Sequence, residues 1–199
     1  DRGSKTVQVS DSHGGLNDGY LGTRITPIPQ GLGVGQRGIL AGGKLNPAGT
    51  VRNDIQFVTI STTGNTQIFG DLTASKYGAG GGASSTRNLF MGGFVDPATA
   101  QTATDYFEFA SLGNAASFGT LTAARSFTSG CSNSTRALMI GGGGPAPGYT
   151  RTDVIDYFTI ATIGNATDFG NLTAATSAVG ATANSTRAIT AGGTTGSSV

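Results

Sequence analysis

Ser134-Thr135-Arg136-Ala137-Leu138-Met139-Ile140-Gly141-Gly142 is the stretch on which the architecture turns. A polar triplet ending in Arg leads into an apolar run, and a Gly pair stops it. The same order returns at Ser85-Thr86-Arg87 with Gly92-Gly93, and at Ser185-Thr186-Arg187 with Gly192-Gly193. It also occurs at Gln36-Arg37 with Gly42-Gly43. Arg37, Arg87, Arg136 and Arg187 therefore stand about 50 residues apart, and a fixed period of roughly 20–50 residues marks a repeat architecture.

Working outward, each Gly pair is followed by an aromatic stretch around Phe57, Tyr106 and Tyr157. Next come Gly64-Asn65, Gly113-Asn114 and Gly164-Asn165, then Phe69-Gly70, Phe118-Gly119 and Phe169-Gly170. Leu72-Thr73, Leu121-Thr122 and Leu172-Thr173 complete the pattern. The distance from aromatic to next Arg is constant, and so is the distance from Arg to Gly pair. Length varies in Lys44 to Asn53, Phe94 to Ala103 and Gly143 to Thr152, and these stretches contain Pro and differ from one another. Constant spacing marks packed framework, and variable spacing marks surface loops. The candidate contact residues are accordingly Lys44, Asn46, Arg52, Phe94, Asp96, Gln101, Pro145, Tyr149 and Arg151.

Each repeat reads as four short strands. Asn88-Leu89-Phe90-Met91 and Ala137 to Ile140 suit buried inner strands, and Val154 to Ile160 is β-branched and aromatic. Gly164-Asn165 supplies a turn, Ala166 to Thr173 a third strand, and the small residues of Ala174 to Ala183 a fourth. Four strands in some 50 residues, with a Gly pair after one of them, resemble kelch repeats. The resemblance covers residues 37–199 and departs from the family where Phe69, Phe118 and Phe169 stand near the expected Trp. The wording of Ile155-Asp156-Tyr157-Phe158-Thr159-Ile160-Ala161-Thr162, followed by Gly164-Asn165-Ala166-Thr167-Asp168-Phe169-Gly170-Asn171-Leu172-Thr173, is similar to repeats in virion structural proteins of aquatic tailed phages, cyanophages among them. That resemblance implies a structural or fibre role.

The periods divide the chain into 37–86, 87–135, 136–186 and a partial repeat, 187–199. The N-terminal segment 1–36 makes up roughly what the partial repeat lacks. Thr6-Val7-Gln8-Val9-Ser10 lies one period before the Phe57 strand, and Gly14-Gly15 one period before Gly64-Asn65. The expected fold is all-β: a small kelch-like β-propeller of about four blades, each of four antiparallel strands, with the fourth blade shared by the two terminal segments. Sharing removes open sheet edges, either within one chain or by exchange of a strand with a neighbouring subunit.

Composition agrees. The 199 residues include 34 Gly but no Trp, with one Cys and one His, and 12% are charged. Gly at this level disfavours helix bundles and doubly wound α/β folds. A net charge of +1 gives no footprint for nucleic acid, and no apolar run is long enough to span a bilayer. Cys131 alone and His13 alone make neither a disulfide nor a metal site, and no cofactor motif is present.

The remaining chemistry is sparse. The repeated Arg37, Arg87, Arg136 and Arg187 could bind an anion or glycan, but their forks of donors suit carbonyls between blades better. Together with the Gly pairs they form the repeat framework. Asp54, Asp105, Asp156 and Asp168 lack calcium-loop spacing and are expected at turns and strand ends. Asp11, Ser12 and His13 are neighbours in sequence, which is not a catalytic geometry. Cys131 reads as a small buried hydrophobe. Asn133, Asn165, Asn171 and Asn184 begin Asn-X-Ser/Thr triplets that recur because the repeat recurs. With chemistry this sparse, the resemblance to the phage repeats implies a non-enzymatic structural protein of a virion or its fibres, in a virion or extracellular setting. Self-association, other virion or filament proteins and a cell-surface glycan are its candidate partners. An extracellular cellular filament or adhesin subunit is the alternative.

Overall fold

The computed structural model describes residues 7–10, 16–19, 37–45, 49–95, 99–145 and 148–195. Every regular element among them is a β-strand, in antiparallel sheets of two to five strands. Contacts divide the chain into two units, Asp1–Gln30 and Gly31–Val199. In the first, β1 (Val7–Ser10) pairs with β2 (Leu16–Gly19), Val7 opposite Gly19 and Ser10 opposite Leu16. Thr6, His13 and Gly14-Gly15 lie outside the described residues.

The second unit begins with a sheet of β3 (Arg37–Ala41), β4 (Asp54–Thr59) and β5 (Gln67–Asp71). The next sheet holds β6 (Gly80–Ala83), β7 (Arg87–Met91), β8 (Phe94–Val95), β9 (Thr99–Glu108) and β10 (Ala116–Arg125). Its order is β10-β9-β7-β6, with β8 folded back on the start of β9. A third sheet runs β11 (Ser129–Ser132), β12 (Arg136–Ile140), β13 (Val154–Thr159) and β14 (Thr167–Asn171). Last come β15 (Gly180–Ala183) and β16 (Ala188–Ala191), a pair.

Sheet and repeat are offset by one strand. The small-residue strand that ends each sequence repeat pairs with the Arg strand that opens the next, as β6 does with β7 and β11 with β12. Asn133 makes the connecting turn, its Oδ1 accepting from the Thr135 and Arg136 amides, and Asn184 repeats this with Thr186 and Arg187. This is the local side-chain competition that favours Asn at turns. The strand read as Ala174 to Ala183 is accordingly short, Gly180–Ala183, because the residues before it connect one sheet to the next.

Alternation along the central strands explains why both faces of the inner sheets are apolar. On β9, Asp105 and Phe107 point toward the first sheet, and Tyr106 points toward the third. Two cores result. One gathers Ile55, Phe57, Phe69, Leu72 and Phe107, and the other Leu89, Met91, Phe118, Ala137, Met139, Phe158 and Ile160. Where small-residue strands meet, backbones touch: a Cβ on Gly130 would lie 2.2 Å from the Gly81 carbonyl oxygen.

The Gly pairs have a definite cause. Gly92 and Gly93 take φ of 64° and 98°, and the other three pairs repeat these positive values. The second amide of the first three pairs then reaches into the following connection, Gly43 N to Lys76 O, Gly93 N to Arg125 O and Gly142 N to Thr176 O, each 2.9 Å. A Cβ on Gly92 would sit 2.7 Å from the Arg125 carbonyl oxygen. Gly92→Ala is therefore expected to lower stability by about 2–5 kcal/mol, from left-handed strain plus overpacking. Gly43→Ala meets nothing within 4 Å and should cost less, since strain acts alone. Urea midpoints of the two variants check this order.

One expected surface residue is not on the surface. Phe94 was expected in a contact loop, yet it is 1% exposed, because β8 lays it against Tyr77, Phe127 and Tyr149. The length variation after the Gly pair is thus absorbed by hairpin extensions whose base is packed.

Candidate functional site

Two joints, first sheet to second and second to third, are built from the same parts. An aromatic from the outer strand of one sheet meets the central strand of the next: Phe69 to Phe107 at 4.8 Å and Phe118 to Phe158 at 5.6 Å between ring centroids. The Gly-Asn turn of the later sheet latches the earlier one. Gly113 N donates to Phe69 O and Gly164 N to Phe118 O, while Asn114 Oδ1 accepts from Asp71 N and Asn165 Oδ1 from Thr120 N.

The framework arginines work across these joints. Arg37 stacks on Phe57 at 4.7 Å and donates from Nη1 to Phe109 O. Arg87 stacks on Tyr106 at 4.7 Å and donates to Ile160 O. Arg136 stacks on Tyr157 at 4.6 Å. The aromatic ring holds the guanidinium plane, and the fork then reaches carbonyls at a strand end.

A buried ion pair closes each joint. Asp156, on β13, accepts from Arg125 Nη2 and from the Thr122 hydroxyl and amide. Arg125 also donates to the Val154 and Gly141 carbonyls. In the preceding joint Asp105 accepts from the Thr73 hydroxyl at 2.7 Å, and Lys76 Nζ lies 3.1 Å from its Oδ2. All four charged side chains are buried. Burial pushes the Arg125 guanidinium below its usual range, and Asp156 opposes that shift. The Lys76 contact is not aligned as a hydrogen bond, whereas the Arg125 fork is directed.

This corrects the reading of the aspartates. Asp105 and Asp156 were expected at turns and strand ends, but they sit within β9 and β13 as buried partners of a cation. Asp54 is not their equivalent: the register places Gln56 opposite Leu40 as Asp105 is opposite Phe90 and Asp156 opposite Met139. Asp54 instead accepts from Gln56 and Arg52 at the start of β4, and those hydrogen bonds, Gln56 foremost, hold its carboxyl below the usual range. Lys76 and Arg125 were missed, though each lies three residues beyond a Leu-Thr pair, where Thr176 stands in the next repeat.

The series then stops in mid-joint. Phe169, the counterpart of Phe69 and Phe118, is 53% exposed where they are 3% and 2%. An open groove of about 340 Å³ lies there, walled by Arg136, Leu138, Ile155, Phe169, Leu172 and Thr190. Every residue of β16 is exposed. Among the described residues no further strand joins the pair β15–β16.

The expected contact residues are spread over the hairpin extensions. Lys44, Arg52, Pro145 and Tyr149 are exposed, Gln101 and Arg151 are half-buried, and Asn46 and Asp96 lie outside the described residues. Arg151 Nε reaches the Ser177 and Thr194 hydroxyls. Among the described residues no cluster of three or more His, Cys, Asp or Glu could hold a metal ion. No helix there is long and apolar enough to cross a membrane.

Cys131 lies buried on β11, and burial raises its thiol pKa above the ordinary 9.0. The unfolded thiol ionises first, so stability present below pH 9.0 falls as pH rises beyond it. The folded chain should also resist iodoacetamide at neutral pH and react once urea unfolds it.

The described residues define an all-β repeat protein with two ion pairs buried in its joints and, at Phe169, a joint that no further described strand closes. No protein-family model matches the chain, and no curated protein matches it.

Proposed function

We propose that this chain is a non-enzymatic structural protein of a phage virion or its fibres, a small β-propeller that assembles and meets a host surface. Four sheets act as blades, and the last, β15–β16, is completed by an N-terminal hairpin β1–β2, the chain's own or a neighbour's. The observation that carries the assembly reading is the half-joint at Phe169, an apolar surface shaped by the same residues that bury their counterparts. Burying one such ring contributes about 1.5–3 kcal/mol, so an open joint favours whatever closes it. The hairpin is the right size for the two missing strands, and a sheet edge is closed most simply by another strand. The phage attribution rests on the resemblance of the repeat wording.

A second reading is favoured by the hairpin being paired within itself as a separate unit. A hairpin of that kind can complete a neighbour's blade as well as its own, which would make the chain a subunit of an extracellular filament or adhesin. Electron microscopy of the native material distinguishes the two, capsid and tail against a bare helical fibre. A chain that stays monomeric and unassembled at high concentration defeats both.

A further inference from the structure

Framework residues recur in every repeat, so aromatics that occur once and still converge call for another explanation. Phe127, on the connection between β10 and β11, lies 5.2 Å from Phe94 and 6.3 Å from Tyr77 between ring centroids. Tyr149, from the long loop before β13, lies 5.5 Å from Phe94. Lys44 Nζ stands 5.1 Å over the Tyr77 ring. The four rings and Lys44 thus come from five separate stretches of chain. In the neighbouring repeats the Tyr77 position holds Ser126 and Ser177, and the Phe94 position holds Gly143 and Thr194.

Backbone conformation sharpens the point. Gly78, Phe127 and Ala178 occupy equivalent positions, chained by hydrogen bonds from Phe127 N to Gly78 O and from Ala178 N to Phe127 O. All three have positive φ, 65°, 49° and 54°. The fold needs that conformation, and Gly meets the need without steric strain. Phe127 puts a bulky ring there and leaves it 44% exposed. Tyr149 does the same at φ 41° and 43% exposure. Strain kept at two exposed aromatics over a buried Phe94 is spent on something other than packing.

We infer that Phe127 and Tyr149, seated on Phe94 and Tyr77, form a platform that binds a neutral glycan. A sugar ring offers polarised C–H groups on its faces, which the negative π faces of aromatic rings attract, and hydroxyls at its rim. Tyr77, Tyr149 and Lys44 bring hydrogen-bonding groups to the same place. The charge here suits a neutral ligand: among the described residues Lys44 is the one charged member of the group, and the nearby Arg151 is engaged by Ser177 and Thr194. A polyanion would need more cations. This inference deepens the host-contact part of the proposed function, but it stands on the aromatic group and not on the open joint, so the two can fail separately.

The test titrates the full chain with hexasaccharides of glucose, mannose and N-acetylglucosamine, and with the single-stranded oligonucleotide dT20, following tyrosine fluorescence and calorimetry. At least one neutral hexasaccharide should bind, and Phe127→Gly, which removes the ring and relieves the backbone, should weaken it at least tenfold. Tyr149→Ser, in a surface loop, should weaken it several-fold with an unchanged melting curve. Binding that survives both substitutions, binding of dT20 alone, or no binding by any hexasaccharide overturns the inference. So does a result in which Phe127→Gly alters only self-association by sedimentation.

Discussion

Asp156→Ala is expected to lower stability by about 3–5 kcal/mol, the range for removing one partner of a buried ion pair. The carboxylate accepts from Arg125 Nη2 and from the hydroxyl and amide of Thr122, so its loss leaves a buried guanidinium and an orphaned amide together. Arg125→Met combined with Asp156→Leu should recover part of that loss, because it removes the charge left alone while the Thr122 amide and the Val154 carbonyl stay unpaired. Equilibrium urea unfolding of Arg125→Met, Asp156→Leu and the double supplies the coupling energy. An additive double, as costly as the singles summed, would show that the pair does not act as a unit.

Phe118→Ala should cost about 3–5 kcal/mol, and Phe169→Ala, at the equivalent place one repeat later, well under 1 kcal/mol in the dispersed chain. Phe118 is enclosed by Tyr106 at 5.5 Å and Phe158 at 5.6 Å, whereas Phe169 has a ring neighbour on its own sheet, Tyr157 at 6.1 Å, and is half exposed. The contrast carries a second readout. If closure of the joint underlies assembly, Phe169→Ala leaves the melting of the dispersed chain nearly unchanged and raises the concentration at which particles form. Equal destabilisation by the two substitutions would mean that the joint at Phe169 is already filled in the dispersed chain.

Much of this was legible in the residues. The Gly pairs marked where strands end, because few other residues take their positive φ, and their spacing with that of the Gly-Asn turns gave the all-β repeat. The phase of the repeat was not legible. Ser129–Ser132 carries no apolar pattern of its own, so nothing local says that it pairs forward with Arg136–Ile140. The buried pairs were missed for a similar reason. Nothing local sets Lys76 and Arg125 apart, and their burial depends on a carboxylate some thirty residues further on. Phe94 was assigned to the surface because a variable segment was read as wholly exposed, although its first residues are pinned by the Tyr77 backbone. The aromatic group around Phe94 is non-local in the same sense, since its members come from loops that share no spacing.

The one-strand offset between repeat and sheet has a topological consequence. Each repeat hands its last strand to the sheet that follows and borrows its first from the repeat before. Lengthening such a chain by whole repeats multiplies the finished interior joints but leaves the ends as they were, with, among the described residues, a lone trailing hairpin and a leading sheet short of its first strand. The incompleteness is a boundary condition of the connectivity, independent of how many copies lie between. Only a segment from outside the periodic run can cancel it, which is why the most informative part of this molecule is the stretch where the repetition breaks down.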